Sequence, residues 1–369
     1  MYIFSQPIII LPNNIKIYYS FPIQNEEGFS IKSYLNEILV CPICRIGPLN
    51  LKTIRANNQE ILEGELSCPS CRKSHSIKDG IPFLHPHPEI SQTTLDNYER
   101  LTSISDRVEG ANIAYHNLKA DEYETDYTTN YIFEDNCQNR ISEIISNIKE
   151  KTDGRYALDI GCGTGNILKY TTKIFERAIG LDLSIKMLEK SRKYGAELVQ
   201  GTGVQTPFAD NQFDLVTCFS VLHHICEPLA LIQEIHRILK KGGILYTDWD
   251  FNSFFYWKPL HSLWMHRMNI PEALGVLLKH KLIPNKFRKA FEVAEYHVFN
   301  EWINPDLLKQ SMINGNFCNV EIIFHWNSRS IYQISQNGRE KLMELFKTLI
   351  SFNTDPKQKN PIFIIIAQK

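Results

Sequence analysis

Apolar positions along this 369-residue chain change rhythm as it proceeds. After the run Ile8 to Leu11 and the turn signal Pro12-Asn13-Asn14, Ile15, Ile17 and Tyr19 alternate with polar or amphipathic neighbours. That alternation predicts a small hairpin, followed by a short helix around 33–39. Residues 91–150 are polar, helical in spacing and tyrosine-bearing. Beyond 155 the pattern becomes short apolar runs ending in acids or turn residues, at 157–160, 178–184, 198–204, 213–219 and 244–247, which read as buried strands. Between the last two, Leu231, Ile232, Ile235, Ile238 and Leu239 recur at helical spacing, so 229–239 reads as a crossover helix ended by Lys240-Lys241-Gly242-Gly243. Two final strands are expected at 319–325 and 361–367, with a helix near 339–351 between them. Strands alternating with helical stretches predict an α/β domain.

The chain therefore divides into an N-terminal hairpin and helix extension (1–40), a cysteine-bearing module (41–90), a helical lid or linker (91–150) and an α/β domain (151–369). An insertion at 251–305 interrupts the last of these. It carries Phe254, Phe255, Tyr256, Trp257, Leu263, Trp264, Met265 and Met268, then Lys279, Lys281, Lys286, Arg288 and Lys289. An aromatic wall with a basic flank could enclose an apolar or anionic substrate, or be the ordinary packing of two helices.

Charge narrows the partners. Forty basic residues against forty-one acidic ones leave a formal charge of -1, so no global field draws the chain to nucleic acid or to an anionic membrane. No stretch approaches the roughly 20 apolar residues of a membrane span, and the N-terminus lacks the basic start of a secretory signal. A cytoplasmic protein is expected. Nine cysteines, an odd and unevenly spaced set, fit a reducing compartment.

The stretch around which the chain is organised is Ala157-Leu158-Asp159-Ile160-Gly161-Cys162-Gly163-Thr164-Gly165-Asn166. A buried strand running into glycines at alternate positions, then into a helical pattern, predicts a tight turn on which a ligand can lie directly against peptide groups. A dinucleotide fingerprint, G-x-G-x-x-G, would put a third glycine where Asn166 stands, which disfavours NAD. Asp159, just before the first glycine, suits an ammonium better than a pyrophosphate. Asp182, at the end of the second strand, can accept both hydroxyl protons of a ribose. Ser184 is placed to cap the next helix and Leu183 to pack on a base.

Two paired knuckles, Cys41-Pro42-Ile43-Cys44 and Cys68-Pro69-Ser70-Cys71, can bring four thiolates onto one tetrahedral Zn²⁺. With every position filled by sulfur, that site is structural. His75 reads as a packing or surface residue, and a redox motif would come singly within a βαβ pattern.

The glycine loop, Asp159, Asp182 and the run Glu234-Ile235-His236-Arg237-Ile238-Leu239-Lys240-Lys241-Gly242-Gly243 together resemble the class I S-adenosylmethionine-dependent methyltransferases, from the loop to the end of the chain. The knuckles, with Asp79-Gly80-Ile81-Pro82-Phe83-Leu84, resemble the Trm112-type zinc ribbon over about 38–86, a module found as a partner of methyltransferases or fused to them. The fused arrangement also resembles bacterial ribosomal RNA guanine methyltransferases. These resemblances imply a Rossmann-like doubly wound seven-stranded sheet, its last strand antiparallel, beside a small ribbon. They imply S-adenosylmethionine as cofactor, held by Asp159, Gly161, Gly163, Gly165, Asp182, Leu183, Thr202, Gly203 and Ser220, and a lid in which Tyr115 and Tyr123 are candidates. They also expose a departure. Relatives place an aspartate at the position of Thr202, where it accepts a hydrogen bond from the adenine amino group; a threonine hydroxyl lacks the charge assistance.

His223, in Ser220-Val221-Leu222-His223-His224-Ile225 after the fourth strand, is the candidate general base, with a structural role as its rival. Asp248 and Asp250 follow the fifth strand and could touch substrate. The expected reaction is methyl transfer, O-directed by default, to a small apolar or anionic metabolite. The alternatives are a nucleobase methyltransferase acting on ribosomal or transfer RNA, and a non-enzymatic scaffold that binds a partner. An intact loop and ribose acid disfavour the last.

Overall fold

The computed structural model describes residues 33–57, 60–125, 135–152, 154–254, 285–299, 302–325, 357 and 362–369. The expected hairpin before residue 33, most of the aromatic insertion, Lys279, Lys281 and the helix near 339–351 lie outside them.

The first module begins with helix α1 (Ser33–Ile38) and continues as the antiparallel sheet β1 (Asn50–Asn57), β2 (Glu60–Ser67), β3 (Ser74–Lys78) and β4 (Ile81–Pro82), paired in that order. Each C-x-x-C knuckle turns in the same way: the N–H of the residue after the second cysteine returns to the carbonyl of the first, Arg45 to Cys41 at 2.8 Å and Arg72 to Cys68 at 3.1 Å. Both arginines accordingly take positive φ, 61° and 58°. Helices α2 (Pro88–Ser91), α3 (Ile104–Lys119) and α4 (Asp135–Glu150) follow.

The second sheet contains β5 (Tyr156–Ile160), β6 (Arg177–Asp182), β7 (Glu197–Gln200), β8 (Phe213–Phe219), β9 (Leu239–Phe251), β10 (Cys318–His325) and β11 (Ile362–Gln368) in the order β10-β11-β9-β8-β5-β6-β7. The five strands from β9 to β7 are parallel, and β11 runs antiparallel between β9 and β10. This is the expected seven-stranded α/β sheet. Helices α5 (Leu168–Ile174), α6 (Ile185–Ser191) and α7 (Pro228–Ile238) make its crossovers, and α8 (Asn285–Ala294), α9 (Tyr296–Phe299) and α10 (Pro305–Asn314) follow β9. Among the described residues, no helix is long and apolar enough to cross a membrane.

One expected element is corrected. Gly242 and Gly243 do not cap α7, because Leu239 already has extended backbone and β9 starts there. The glycines instead admit close pairing at the head of the strand. A Cβ on Gly243 would lie 2.8 Å from the Phe213 carbonyl oxygen, and Gly242 takes φ 83° with its N–H on the Lys369 carbonyl.

The ribbon is not a separate bead. Val40 donates its N–H to Pro207, Leu39 bridges Phe208, and Phe83 pairs in parallel with Gln200 while Leu84 donates its N–H to the Gln200 carbonyl. The C-terminal end of the module thus meets the β7 edge of the large sheet, and its N-terminal end pairs with the segment at 207–208. Arg45 also reaches Glu234 at 3.0 Å, and Glu234 receives Arg237 at 2.7 Å and both the N–H and hydroxyl of Thr206. Leu35, Leu39, Leu66, Ile77 and Leu84 share one continuous apolar core with Leu158, Val199, Phe208 and Leu231.

Candidate active site

A cavity of about 310 Å³ opens beyond the carboxyl ends of the parallel strands, on the side where the strand order reverses between β5 and β8. The glycine turn after β5 forms part of its floor, with Gly161, Gly163 and Gly165 at φ 67°, 53° and 93°. The three do different work. A Cβ on Gly161 would meet Val221 at 2.5 Å and one on Gly165 would meet the Tyr194 ring at 2.5 Å, so both are packing requirements. One on Gly163 would meet nothing within 4 Å, which leaves a cradle open to a ligand.

Asp182 closes β6 against that turn. Its Oδ2 accepts the Gly163 N–H at 2.8 Å and its Oδ1 accepts the Ser184 N–H at 2.7 Å. Burial raises its carboxyl to about 6 in spite of both bonds. Ser184 caps α6 through the Met187 N–H and donates its hydroxyl to Asn117 at 2.7 Å. Asp159 lies beneath the floor, outside the cavity lining, where its Oδ1 accepts the Thr217 hydroxyl at 2.7 Å. Burial first, and the nearby Asp182 charge second, push its carboxyl up to about 8 against the pull of Thr217.

The roof is α3. Ser105, Val108, Glu109, Asn112 and His116 all line the cavity, one face of the helix at helical spacing. Tyr115 sits at the flank of that face and packs on Phe287 and Phe291 of α8, at ring distances of 5.2 and 5.1 Å. Of the two expected lid tyrosines, only Tyr123 lines the cavity. Asn112 ties the roof down, donating to the carbonyls of Val108, His224 and Ala294.

The histidine pair divides its roles in an unexpected order. His223 is buried and outside the lining, its Nδ1 2.8 Å from Asp250 Oδ1, which also accepts its backbone N–H at 3.1 Å. His224 forms cavity wall, and its Nδ1–H donates to the Ala294 carbonyl at 2.9 Å, leaving Nε2 as an acceptor. His116 is arranged alike, with Nδ1–H on the Asn112 carbonyl at 3.0 Å, and meets the His224 ring edge-on at 5.4 Å. Burial holds His223 at about 4 and both His116 and His224 at about 3, so all three are neutral near pH 7. Glu295 lies 3.5 Å from His223 Nε2 and 3.9 Å from His224 Nε2, and burial raises its carboxyl.

Asp248 and Asp250 are buried within β9 rather than exposed in a turn. Asp248 accepts from Arg140, Tyr246 and His325 at 3.0, 3.0 and 2.8 Å, a structural junction between α4, β9 and β10. Asp250 is committed to His223. Neither lines the cavity.

Gly161, Gly163, Asp182, Leu183, Thr202, Gly203, Ser220 and Tyr123 therefore meet around one space, and Asp159, Gly165, Tyr115 and His223 support it from outside. Ser220 stands there with φ 60°, uncommon for a non-glycine residue, its N–H held by the Asp248 carbonyl at 2.8 Å. The sequence reading missed Glu109, Asn112, His116 and His224. Polar residues at 105, 109, 112 and 116 do form a helical stripe, but a polar stripe ordinarily signals a solvated face. Among the described lining residues are the carboxylates Glu109, Asp182 and Glu227, and no lysine or arginine.

In the ribbon, the four sulfurs of Cys41, Cys44, Cys68 and Cys71 lie within 4.8 Å of one another, with Cys41 to Cys71 at 3.6 Å and Cys44 to Cys68 at 3.4 Å. A tetrahedral ion with Zn–S bonds of about 2.3 Å has edges of about 3.8 Å. The donor set fits a closed, structural Zn²⁺ site, with all nine cysteines of the chain free of disulfides.

Comparison with known proteins agrees with this division. Residues 158–247 match the family described as a methyltransferase domain, and residues 32–80 match that of Trm112p-like proteins. The chain is 32% identical over 126 residues to demethylmenaquinone methyltransferase of Staphylococcus saprophyticus, covering 29% of this chain and 54% of that protein. It is 32% identical over 101 residues to a protein of Bos taurus named as a probable tRNA methyltransferase 9B, covering 27% and 22%. The matched segments thus span about half or less of these relatives. Among solved structures, Haemonchus contortus phosphoethanolamine N-methyltransferase 2 aligns with a TM-score of 0.47 at 17% identity, over 73% of this chain and 61% of that one.

Proposed function

We propose that this protein is an S-adenosylmethionine-dependent methyltransferase whose substrate is a small molecule. The observation that carries the reading is the joint between Gly163 and Asp182: an open glycine cradle beside a carboxylate that already gathers two backbone N–H groups at the cavity wall. The residues present fit the cofactor. Asp182 would take the ribose hydroxyls, Gly163 would let the ligand lie on the turn, Leu183 and Met187 would offer apolar contact, and the acidic lining favours a cation. When bound, S-adenosylmethionine supplies a methyl group on a sulfonium centre, open to in-line attack by a nucleophile. The chain's own contribution is to hold that nucleophile near and aligned, and to exclude water under α3. For a hydroxyl or amine acceptor, His224 and His116 are neutral and keep Nε2 as a hydrogen-bond acceptor that can orient the nucleophile, while the burial that holds both at about 3 disfavours their taking a full proton. The histidine placed to meet the nucleophile is therefore His224 rather than His223.

The small-molecule reading rests on enclosure and on charge. The cavity of about 310 Å³ under α3 is shared between cofactor and acceptor, which leaves room beside the cofactor for a compact acceptor group. With no lysine or arginine among the described lining residues, a neutral, apolar or cationic acceptor fits better than an anionic one. Of the three basic residues of α8, Lys286 pairs with Asp96, and Arg288 donates to Asn285 at 2.9 Å and lies 3.9 Å from Glu292. Calorimetry with S-adenosylhomocysteine tests the cofactor, and transfer of labelled methyl from S-adenosylmethionine into fractionated metabolites or into RNA tests the substrate. Label entering RNA alone would overturn the substrate reading.

A further inference from the structure

The reading of Thr202 as a neutral replacement for a carboxylate leaves the adenine end of the site without a charged acceptor. The structure supplies one from elsewhere. Glu109, on the cavity face of α3, accepts the Thr202 hydroxyl on Oε1 and lies 3.2 Å from His85 Nε2 through Oε2. His85 Nδ1 accepts the His87 N–H at 3.0 Å, so its ring proton sits on Nε2 and points at the carboxylate. His85 is itself nearly inaccessible, at 2% exposure, and follows directly on Leu84, whose N–H is bound to the end of β7. A carboxylate has about four lone-pair directions, and two donors leave capacity for a third.

We infer that Glu109 reads the 6-amino group of the cofactor's adenine, with Thr202 and the ribbon residue His85 as its positioning residues. The inference rests on the cofactor reading above. Its physical content is selectivity. Both oxygens of Glu109 are acceptors, so a purine with an amino donor at position 6 gains a charge-assisted hydrogen bond, and one with a 6-oxo group sets acceptor against acceptor. A site built around such a bond disfavours the analogue that cannot make it, because the 6-oxo oxygen then faces the carboxylate with no proton between them. Thr202, its proton given to Glu109, keeps lone pairs that can accept but carries no charge, so the charge-assisted bond falls to Glu109. The carboxylate stands on the roof helix α3, and the ribbon residue His85 helps to orient it.

The experiment compares binding of S-adenosylhomocysteine with its 6-oxo analogue, S-inosylhomocysteine, to the full chain by calorimetry. The wild type should prefer the adenosyl ligand by about tenfold or more. In Glu109→Gln the amide can turn its NH₂ toward a 6-oxo group, and the preference should collapse by about ten- to a hundredfold. His85→Leu should narrow it, whereas His85→Gln, which keeps a donor, should retain most of it; the ratio is a readout that mere loss of packing does not move. Thermal melting and zinc content at wild-type values show that each variant is folded. If Glu109→Gln and Glu109→Ala keep the wild-type preference while Asp182→Ala loses both ligands, the cofactor site is right and Glu109 does not read the base. If the wild type binds neither ligand, the cofactor reading fails and takes this inference with it.

Discussion

Gly163 gives its N–H to Asp182 across 2.8 Å, which joins the turn after the first parallel strand of the core to the end of the second. The burial of that carboxyl decides what pH should do. Burial raises the Asp182 carboxyl to about 6. A ligand whose hydroxyls bind the ionised form must therefore compete with a proton below that value. Affinity for S-adenosylhomocysteine should be flat above about pH 7 and fall about tenfold per pH unit below 6, read by calorimetry across pH. Asp182→Ala should lower it by about a hundredfold at pH 8 and remove the slope. A flat profile in the wild type would place the ribose contact elsewhere.

The three glycines of the turn should separate in mutagenesis. Gly163→Ala adds a methyl where nothing lies within 4 Å, so its cost is the left-handed backbone alone, about 1 kcal/mol, while ligand affinity falls because the cradle is filled. Gly165→Ala drives the methyl into the Tyr194 ring at 2.5 Å and should cost clearly more stability. Denaturant melts and ligand titrations of the two variants measure the contrast.

His223 and His224 should fail in different ways. His224→Ala removes a cavity wall and a hydrogen-bond acceptor that orients the nucleophile, and should slow turnover by about tenfold or more while cofactor affinity stays within about threefold. His223→Ala leaves Asp250 buried without its ring partner, and should cost about 1–3 kcal/mol of stability before any effect on rate is read. Equal loss of kcat in both, at equal stability, would contradict the separation.

Zinc should matter beyond the ribbon. Cys41 and Cys68 belong to the same apolar core as Phe208 and Leu231, and Arg45 is bound to Glu234 on α7. Chelation, or Cys68→Ser, should therefore lower the melting temperature of the whole chain as one transition rather than melt the ribbon first. Two resolved transitions in a calorimetric scan would show instead that the modules unfold independently.

RNA affinity, if measured, should be weak and only shallowly dependent on salt. A steep slope requires several uncompensated cations on one face, and of the three on α8 Lys286 already pairs with Asp96 and Arg288 lies 3.9 Å from Glu292. Specific binding whose salt slope flattens in the triple variant Lys286→Ala, Arg288→Ala, Lys289→Ala would reverse the choice of substrate class.

The sequence by itself determined whatever is set by local pattern. Apolar runs ending in Asp159 and Asp182, glycines at 161, 163 and 165 and cysteines at 41, 44, 68 and 71 are all features of short stretches, and each maps onto one strand, turn or knuckle. Only the tertiary structure decided matters of direction between segments distant in sequence. Of two adjacent histidines, one points into the core toward Asp250 and the other into the cavity, a choice made by the turn at 222–224 and by Ala294, seventy residues further on. A helix at 104–119 can roof a cavity or face water with the same stripe of polar residues, and its contacts with His224, Ala294 and Thr202 settle which. The missing aspartate at position 202 was legible as an absence. The hydrogen bond that Thr202 gives to Glu109, 93 residues away, was not, because a carboxylate's partner depends on distance in space and periodicity records only distance along the chain.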